Sequence, residues 1–367
     1  MTTDRPIIVV GCPRSGTTML QLMLHAHPRI AIPPETRFTL AAYWERRIFG
    51  DLSEAANRRA LAHWIIHRRE TRFCDLGLPA EDIAERITAH PGTLGSALGT
   101  VFQRYAARFG KPRWGDKRPA YLNNVDILLR LFPDAQFINI VRDGRDCVAS
   151  LKEMSWHRKD IYATVAAWSR AVDDARRAAR RLGPTQWHEV RYEDLVADPH
   201  AGLAKMCAYL GEQYDPAMAE PSAVADVAVP SFKTWHARTH APVTTQRIQS
   251  WQTRLTSEEI ALCEAALGSR LEACGYDLSG TGRPAPAALL RYGLTAAPQR
   301  FVPARRGLSR AANRLRRGDD LAYRPTAILP QRTGPGPQGT ASAPRNLSGA
   351  PGPAACQTSE SESLPLP

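Results

Sequence analysis

The 367-residue chain predicts an α/β fold: a P-loop-type parallel sheet flanked by helices, followed by a disordered Pro- and Arg-rich C-terminal tail. Three observations carry that expectation. Short apolar runs alternate with longer stretches of helical periodicity, the pattern of a parallel sheet covered on both faces. The first run opens into a glycine-containing turn, GCPRSGTTM at Gly11–Met19, that leads into a helical pattern. Charged motifs follow directly on the apolar runs, where open α/β sheets bind their ligands.

The elements read in order as follows. Ile7–Val10 is short, apolar and β-branched, a buried strand closed by Gly11. Thr17–His27 places Leu20, Met23, Leu24 and His27 at helical spacing, with Pro28 beyond. Ile30–Ile32 is a second strand ending at Pro33-Pro34, and Phe38–Ile48 is helical. Ala135–Val141 is a third strand that runs into RDGRD; an Asp143-Gly144 turn then starts a helix over Arg145–Lys152. Ile161–Ala179 carries an apolar stripe of Ile161, Val165, Trp168, Val172, Ala175 and Ala179. Gln186–Val190 is a fourth strand leading into RYEDL, and TSEE at Thr256–Glu259 is a capping box. From Arg283 the character changes: 13 Pro and 8 Gly fall in 85 residues without sustained periodicity. The reading is one folded domain over residues 1–282 and a low-complexity basic tail over 283–367, in which Leu308–Arg317 is a candidate basic amphipathic helix.

Composition narrows the function. With 43% hydrophobic and 23% charged residues the chain has ample material for a core. No leader-like segment and no stretch of roughly 18 apolar residues is visible. The seven cysteines are scattered, odd in number and never C-x-x-C, which fits reduced thiols in a cytoplasmic protein better than a disulfide framework or a zinc site. His25, His27, His63 and His67 show no metal-ligand spacing and read as structural, so no metal is expected. The net charge of +12 raises nucleic acid as a partner, but the tail alone carries 12 Arg, no Lys and 4 acidic residues, leaving the folded part only mildly basic. Only 6 of the 48 basic residues are Lys, which codon bias explains as well as function does. Nucleic acid is therefore disfavoured, and a weak membrane-surface contact through the tail is the remaining electrostatic expectation.

The Gly11–Thr18 loop follows the phosphate-loop pattern G-x-x-x-x-G-K-[ST] except that Thr17 stands at the lysine position. A helix N-terminus holds anions through its unpaired N–H groups and dipole. Ser15 lies within the loop, Gly16 lets the backbone approach, Thr17 and Thr18 add hydroxyls, and Arg14 adds a guanidinium fork matched to phosphate or sulfate oxygens. The missing lysine argues against Mg-nucleotide chemistry, as does the lack of an apolar run ending in a metal-holding Asp. In FINIVRDGRDCVAS, Arg142 leaves a strand and Ser150 lies two helical turns on, so the two could close on a second anion; equally, Arg142 and Asp143 could form a local structural pair.

Together, PRSGTT, VRDGRDCVAS, RYEDL and RIQSWQTRLT, in this order over about residues 5–275, resemble the sulfotransferase family, and Pro13–Arg37 is most similar to its tyrosylprotein branch and bacterial relatives. The resemblance implies 3′-phosphoadenosine 5′-phosphosulfate (PAPS) as sulfuryl donor, with Arg14, Ser15, Gly16, Thr17 and Thr18 at the 5′-phosphosulfate and Arg142 and Ser150 at the 3′-phosphate. It implies Glu35 as the general base that takes the acceptor's proton, where the residues alone would read a surface carboxylate or a partner of Arg37. It implies that Lys117, in a K-x-P context, offsets charge on the leaving oxygen together with Arg14; alone, DKR reads as solvated charge. Tyr192 matches a position near the adenine, and Arg247 and Trp251 fall in the segment that closes over the nucleotide, although the RKG run of the cytosolic branch is missing here. The implied acceptor is a hydroxyl or amine on a carbohydrate, lipid, metabolite or peptide, which no motif identifies. Two other classes stand beside this one: a kinase-like P-loop enzyme, and a nucleic-acid or membrane-surface binder acting through its basic tail.

Overall fold

The computed structural model describes residues 5–89, 92–225, 241–300 and 321–324. Five parallel strands form one sheet: β1 (Ile7–Gly11), β2 (Ile30–Ala31), β3 (Arg113–Lys117), β4 (Gln136–Val141) and β5 (Trp187–Arg191), in the order β2-β3-β1-β4-β5. β1 is the centre. Its register pairs Val9 with Lys117 on one side and Gly11 with Ile140 on the other. Side chains alternate across it: Ile7 and Val9 join one buried cluster, Ile8 and Val10 the other. The strand is apolar at every position because both faces are covered.

One face is covered by α1 (Thr17–Ala26), α9 (Tyr192–Ala197) and α10 (Pro199–Leu210), whose Leu20, Met23, Leu195, Leu203 and Met206 meet Val9 and Ile138. The opposite face carries α5 (Leu94–Arg108), α6 (Val125–Leu131), α7 (Gly144–Lys152), α8 (Ile161–Leu182), the short α11 (Trp251–Arg254) and α12 (Ser257–Glu272). Between β2 and β3 the chain makes its longest excursion, through α2 (Phe38–Glu45), α3 (Ala55–His67), α4 (Ala80–Ala89) and α5. The connection after β1 leads to the β2 side and the one after β4 to the β5 side. The carboxyl ends of β1 and β4 therefore flank the point where connections part, which is where open sheets form a crevice.

The expected helices and strands are otherwise present within three residues of their expected bounds, and Thr256 and Glu259 form the expected capping box. Three readings are corrected. The helix from Phe38 ends at Glu45 and tightens into a 3-10 turn over Arg46–Phe49. A fifth strand, Arg113–Lys117, was not expected: RWGDK is charged at three of five positions, yet all five are buried. Arg113 is satisfied by Glu212 at 3.2 Å, by Gln136 and by the Leu210 carbonyl, which is how so polar a strand enters a core. The third correction concerns the tail, whose first part is ordered. Pro286–Arg300 forms α13, with Pro286 at a first-turn position that costs no hydrogen bond. It lies against α8, where the Tyr292 and Ser169 hydroxyls meet at 3.1 Å.

Residues 321–324 are ordered too. Gly95 N–H donates to Leu321 O at 2.9 Å, Tyr323 N–H to Leu131 O at 2.7 Å, and Arg324 N–H to Ser96 Oγ at 3.0 Å. The Tyr323 ring stands on Trp114 and Phe132, with centroids 5.6 and 6.0 Å away. A Cβ on Gly99 would lie 2.5 Å from that ring, so a glycine is required to admit it. The Leu308–Arg317 helix and the rest of the tail lie outside the described residues.

Candidate active site

Every strand ends in a candidate residue. The loop Gly11–Thr18 leaves β1, Glu35 follows β2, Lys117 closes β3, Arg142 follows β4, and Tyr192 follows β5.

The loop is tight. Ser15 N–H donates to Cys12 O at 3.1 Å. Arg14 has φ 70°, a left-handed conformation seldom adopted by a long side chain. Gly16 has φ 101°, and a Cβ there would lie 2.7 Å from the Tyr192 ring. Gly16 caps α1 without a side-chain hydrogen bond, and the first turn holds no acidic residue. The helix therefore presents its leading N–H groups and positive dipole end uncompensated. Ser15 Oγ is buried with no hydrogen-bond partner. Thr17 is buried and Thr18 half-buried beside it.

Arginines converge here. Arg14 Nε donates to Ser150 Oγ at 3.0 Å. Arg142 donates to the Arg14 carbonyl at 3.2 Å and the Arg247 carbonyl at 2.7 Å, and its guanidinium lies 4.3 Å over the Tyr192 ring. Its Nε is buried without a hydrogen-bond partner. Asp146 faces Arg142 at 3.8 Å while accepting from Ser250 Oγ and Trp251 N–H at 2.9 and 2.8 Å. Burial, and then the charges of Arg142, Arg254 and Arg247, lower the proton affinity of Arg14, with the neighbouring Cys147 opposing them. Four guanidiniums close enough to repel, beside an uncapped helix and an orphaned hydroxyl, describe a site built for an anion.

The expected residues are thus largely brought together, with changes of detail. Ser150 meets Arg14 directly, and Arg142 reaches the same place through the Arg14 carbonyl. Trp251 is 3% exposed, and Arg145 lies 4.1 Å over its ring, so it braces the cradle through Asp146. Arg145 itself is held by Asp143 at 2.8 Å and Glu264 at 2.6 Å, which answers the local-pair alternative: Asp143 pairs with Arg145, not Arg142.

On the other side of β1, Lys117 is 3% exposed, which overturns the reading of solvated charge. Its Nζ stands 3.4 Å from Glu35 Oε2, and Arg118 lies 3.8 Å from Glu35 Oε1. Because Lys117 is in register with Val9, two residues before the loop, this pair is adjacent to the cradle. Asp116 supports it, accepting from Lys117 N–H at 2.8 Å, from Thr39 Oγ1 at 3.4 Å and from Tyr121 Oη. Burial pushes the Asp116 carboxyl up to about 6. Arg37 is exposed, and its proton affinity is lowered by partial desolvation and by the charges of Arg72 and Arg118.

His25 and His27 are structural, as expected. Burial drives His25 down to about 3, and both ring nitrogens of His27 are engaged, by Gln213 O and Arg29 N–H. Sequence reasoning missed Arg254, Asp146 and Asp116. Arg254 sits in the quoted RIQSWQTRLT run, three residues past Trp251, and was legible there; Asp116 gave no signal.

A family model described as Sulfotransferase family matches residues 6–216. A protein-tyrosine sulfotransferase of Drosophila melanogaster is 26% identical over 59% of this chain, but that match takes in only 40% of the fly protein. An omega-hydroxy-beta-dihydromenaquinone-9 sulfotransferase of Mycobacterium bovis is 24% identical, over 75% of this chain and 76% of its own length. Among solved structures, the sulfotransferase domain of the Synechococcus PCC 7002 olefin synthase shares the fold with a TM-score of 0.50 and 22% identity, over 76% of this chain and 98% of that domain.

Proposed function

The chain belongs to the sulfotransferase family, and from that premise we propose that it moves a sulfuryl group from PAPS to an acceptor hydroxyl or amine. The observation that supports this most is the cradle: an uncapped helix, the orphaned Ser15 Oγ and four converging arginines fit a doubly anionic nucleotide with no γ-phosphate. Bound there, PAPS supplies an activated sulfuryl group on a good leaving oxygen. The loop N–H groups, Ser15, Thr17, Thr18 and Arg14 hold its 5′ side; Arg142 and Ser150 hold its 3′-phosphate. Tyr192 and Trp251 brace that arrangement from below, and Arg247 adds charge.

Glu35 takes the acceptor's proton onto its carboxylate as the acceptor oxygen bonds to sulfur. The bond between sulfur and the departing phosphate oxygen breaks, and Lys117 and Arg14 offset the charge left there. Such transfer needs little covalent work and much positioning. Lys117 and Arg118 orient the two Glu35 oxygens, a contact that holds the base before the acceptor arrives. Arg37, Arg72 and Arg118 make the adjoining wall positive, which favours an acceptor with negative charge near its hydroxyl. Relatives are named for a protein tyrosine and for a dihydromenaquinone, so peptide and lipid acceptors both belong in the test.

Among the described residues no helix is long and apolar enough to cross a membrane. A cytoplasmic setting remains part of the proposal. The test is labelled PAPS with a panel of peptide, lipid, carbohydrate and small phenolic acceptors, in buffer containing a metal chelator. Label transfer to one class supports the reading. Turnover of ATP only with magnesium, and none of PAPS, would favour the kinase-like alternative.

A further inference from the structure

Helix α13 carries apolar side chains on two sides. Inward, Ala296 is buried and the Tyr292 hydroxyl meets Ser169 of α8. Outward, Leu290 and Leu294, one turn apart, are 66% and 68% exposed, with Ala287 exposed one turn before them. A helix that is apolar all round is normally covered all round. The helix is nonetheless fixed in place: Arg291 pairs with Asp160 at 3.0 Å, and its guanidinium lies 4.6 Å over the Tyr162 ring.

Asp160 ends the loop 153–160, which exposes an aromatic ring among cations. Trp156 is 47% exposed, and Arg158 and Lys159 are exposed beside it. The loop is pinned: His157 N–H donates to Met154 O at 3.0 Å, and the His157 ring meets Thr164 Oγ1 at 2.8 Å. The acids of this loop are paired, Glu153 with Arg254 at 2.6 Å and Asp160 with Arg291. Arg158 and Lys159 therefore set its sign. Past the helix the sequence stays basic: Arg300–Arg317 contains seven Arg and no Asp or Glu. Five residues of chain span at most about 18 Å, which bounds how far Arg305 can lie from Arg300 at the helix end.

We propose that the outward face of α13 and the Trp156 loop form a docking surface for an anionic lipid bilayer. The leucines enter the boundary between headgroups and acyl chains, and Trp156 takes the interfacial position that suits its ring. Arg158, Lys159 and the arginines that follow the helix attract acidic headgroups. Stable anchoring takes two such signals, an apolar insertion and a basic cluster, and here they adjoin. A second copy of the chain fits less well, because pairing the leucine faces would bring two basic clusters together. None of Trp156, Leu290 and Leu294 belongs to the donor cradle, so docking leaves the nucleotide site open.

Vesicle binding requires neither donor nor acceptor, so its outcome is separate from that of the proposed chemistry. The full-length chain is sedimented with vesicles of phosphatidylcholine alone and of phosphatidylcholine with about 30% phosphatidylserine, at about 0.15 M salt. Partitioning onto the anionic vesicles should be about tenfold tighter than onto the neutral ones, and about tenfold weaker again in the double variant Leu290→Ser, Leu294→Ser. That variant is changed only on an outward face and should keep the parent melting temperature. Trp156→Ser should weaken binding several-fold, and Arg158→Gln with Lys159→Gln should lower anionic binding and flatten its salt dependence. If the leucine variant melts lower than the parent, these other variants decide. Failure to sediment with either vesicle, equal partitioning onto both, or anionic binding that survives every one of these changes overturns the proposal. So does a dimer, seen by light scattering, that the leucine changes abolish in a chain that ignores vesicles; the face then belongs to a second copy.

Discussion

The cradle at the end of β1 and the clasp formed by residues 321–324 are built on opposite principles. The clasp is satisfied. Its backbone groups bond to Gly95, Leu131 and Ser96, its carbonyl at Ala322 accepts from Thr93, and Tyr323 stands on two aromatic rings. The cradle is not. It holds a buried hydroxyl without a partner, a left-handed arginine, an uncapped helix, and neighbouring guanidiniums that lower the proton affinity of Arg14. Buried polar groups are normally paired, and an orphaned hydroxyl beside an uncapped helix is a place that a ligand can complete. Stability and function are thus stored in different parts of the molecule, and perturbing each part should affect a different observable.

The sharpest separation comes from Glu35→Gln. The amide keeps the shape but cannot take a proton, so turnover should fall by about 10² or more. Bisphosphate affinity should stay within a few-fold and the melting temperature should not change. Turnover within about threefold of the parent would remove Glu35 from the role of base. Next, the cradle should be stabilised by what completes it. Adenosine 3′,5′-bisphosphate at 100 times its dissociation constant should add about 2.7 kcal/mol, visible as a rise in melting temperature larger than that given by AMP or magnesium ATP at equal concentration. Equal shifts for all three would argue against a 3′-phosphate site at Arg142 and Ser150.

The clasp should behave in the converse way. Tyr323→Ala removes a half-buried ring from Trp114 and Phe132 and should cost about 2 kcal/mol, read as a lower denaturant midpoint. KM for PAPS should be unchanged. A Tyr323→Ala chain with normal stability but altered KM would break the comparison. The smallest effect concerns Asp116. Its folded-state carboxyl is raised to about 6 from an ordinary 3.8. Its contribution to stability is therefore fully present below about pH 4 and is lost as pH rises toward 6. Asp116→Asn does not titrate. The stability of the parent relative to this variant should decline by about 1–2 kcal/mol between pH 4 and 6, and a flat difference would show that the carboxyl is not perturbed.

What the sequence revealed follows the same division. β1, β4 and the loop were legible because apolar runs, glycines and arginines are local signals. The pairing of Glu35 with Lys117 was less so. Nothing in RWGDKRPAY shows that it pairs with β1, since charges such as Arg113 are buried through distant partners, here Glu212, 99 residues away. The clasp was invisible for the same reason. Leu321–Arg324 has no periodicity of its own, and its fit is written in Gly95 and Gly99 of a distant helix. Helix α13 was hidden by composition: Pro298 and neighbouring prolines and glycines mask the spacing of Tyr292 and Ala296.

The long excursion between β2 and β3 has one more consequence. It leaves the sheet at Ala31 and returns at Arg113, and these two strands are neighbours. Everything that shapes the wall beside Glu35 on the α2–α5 side is carried on that detour, while the cradle is assembled from the short β1–α1 and β4–α7 junctions. Selection can rewrite the detour by insertion, deletion or exchange without disturbing the donor machinery. A fold wired this way can diversify its clients while inheriting one currency of transfer.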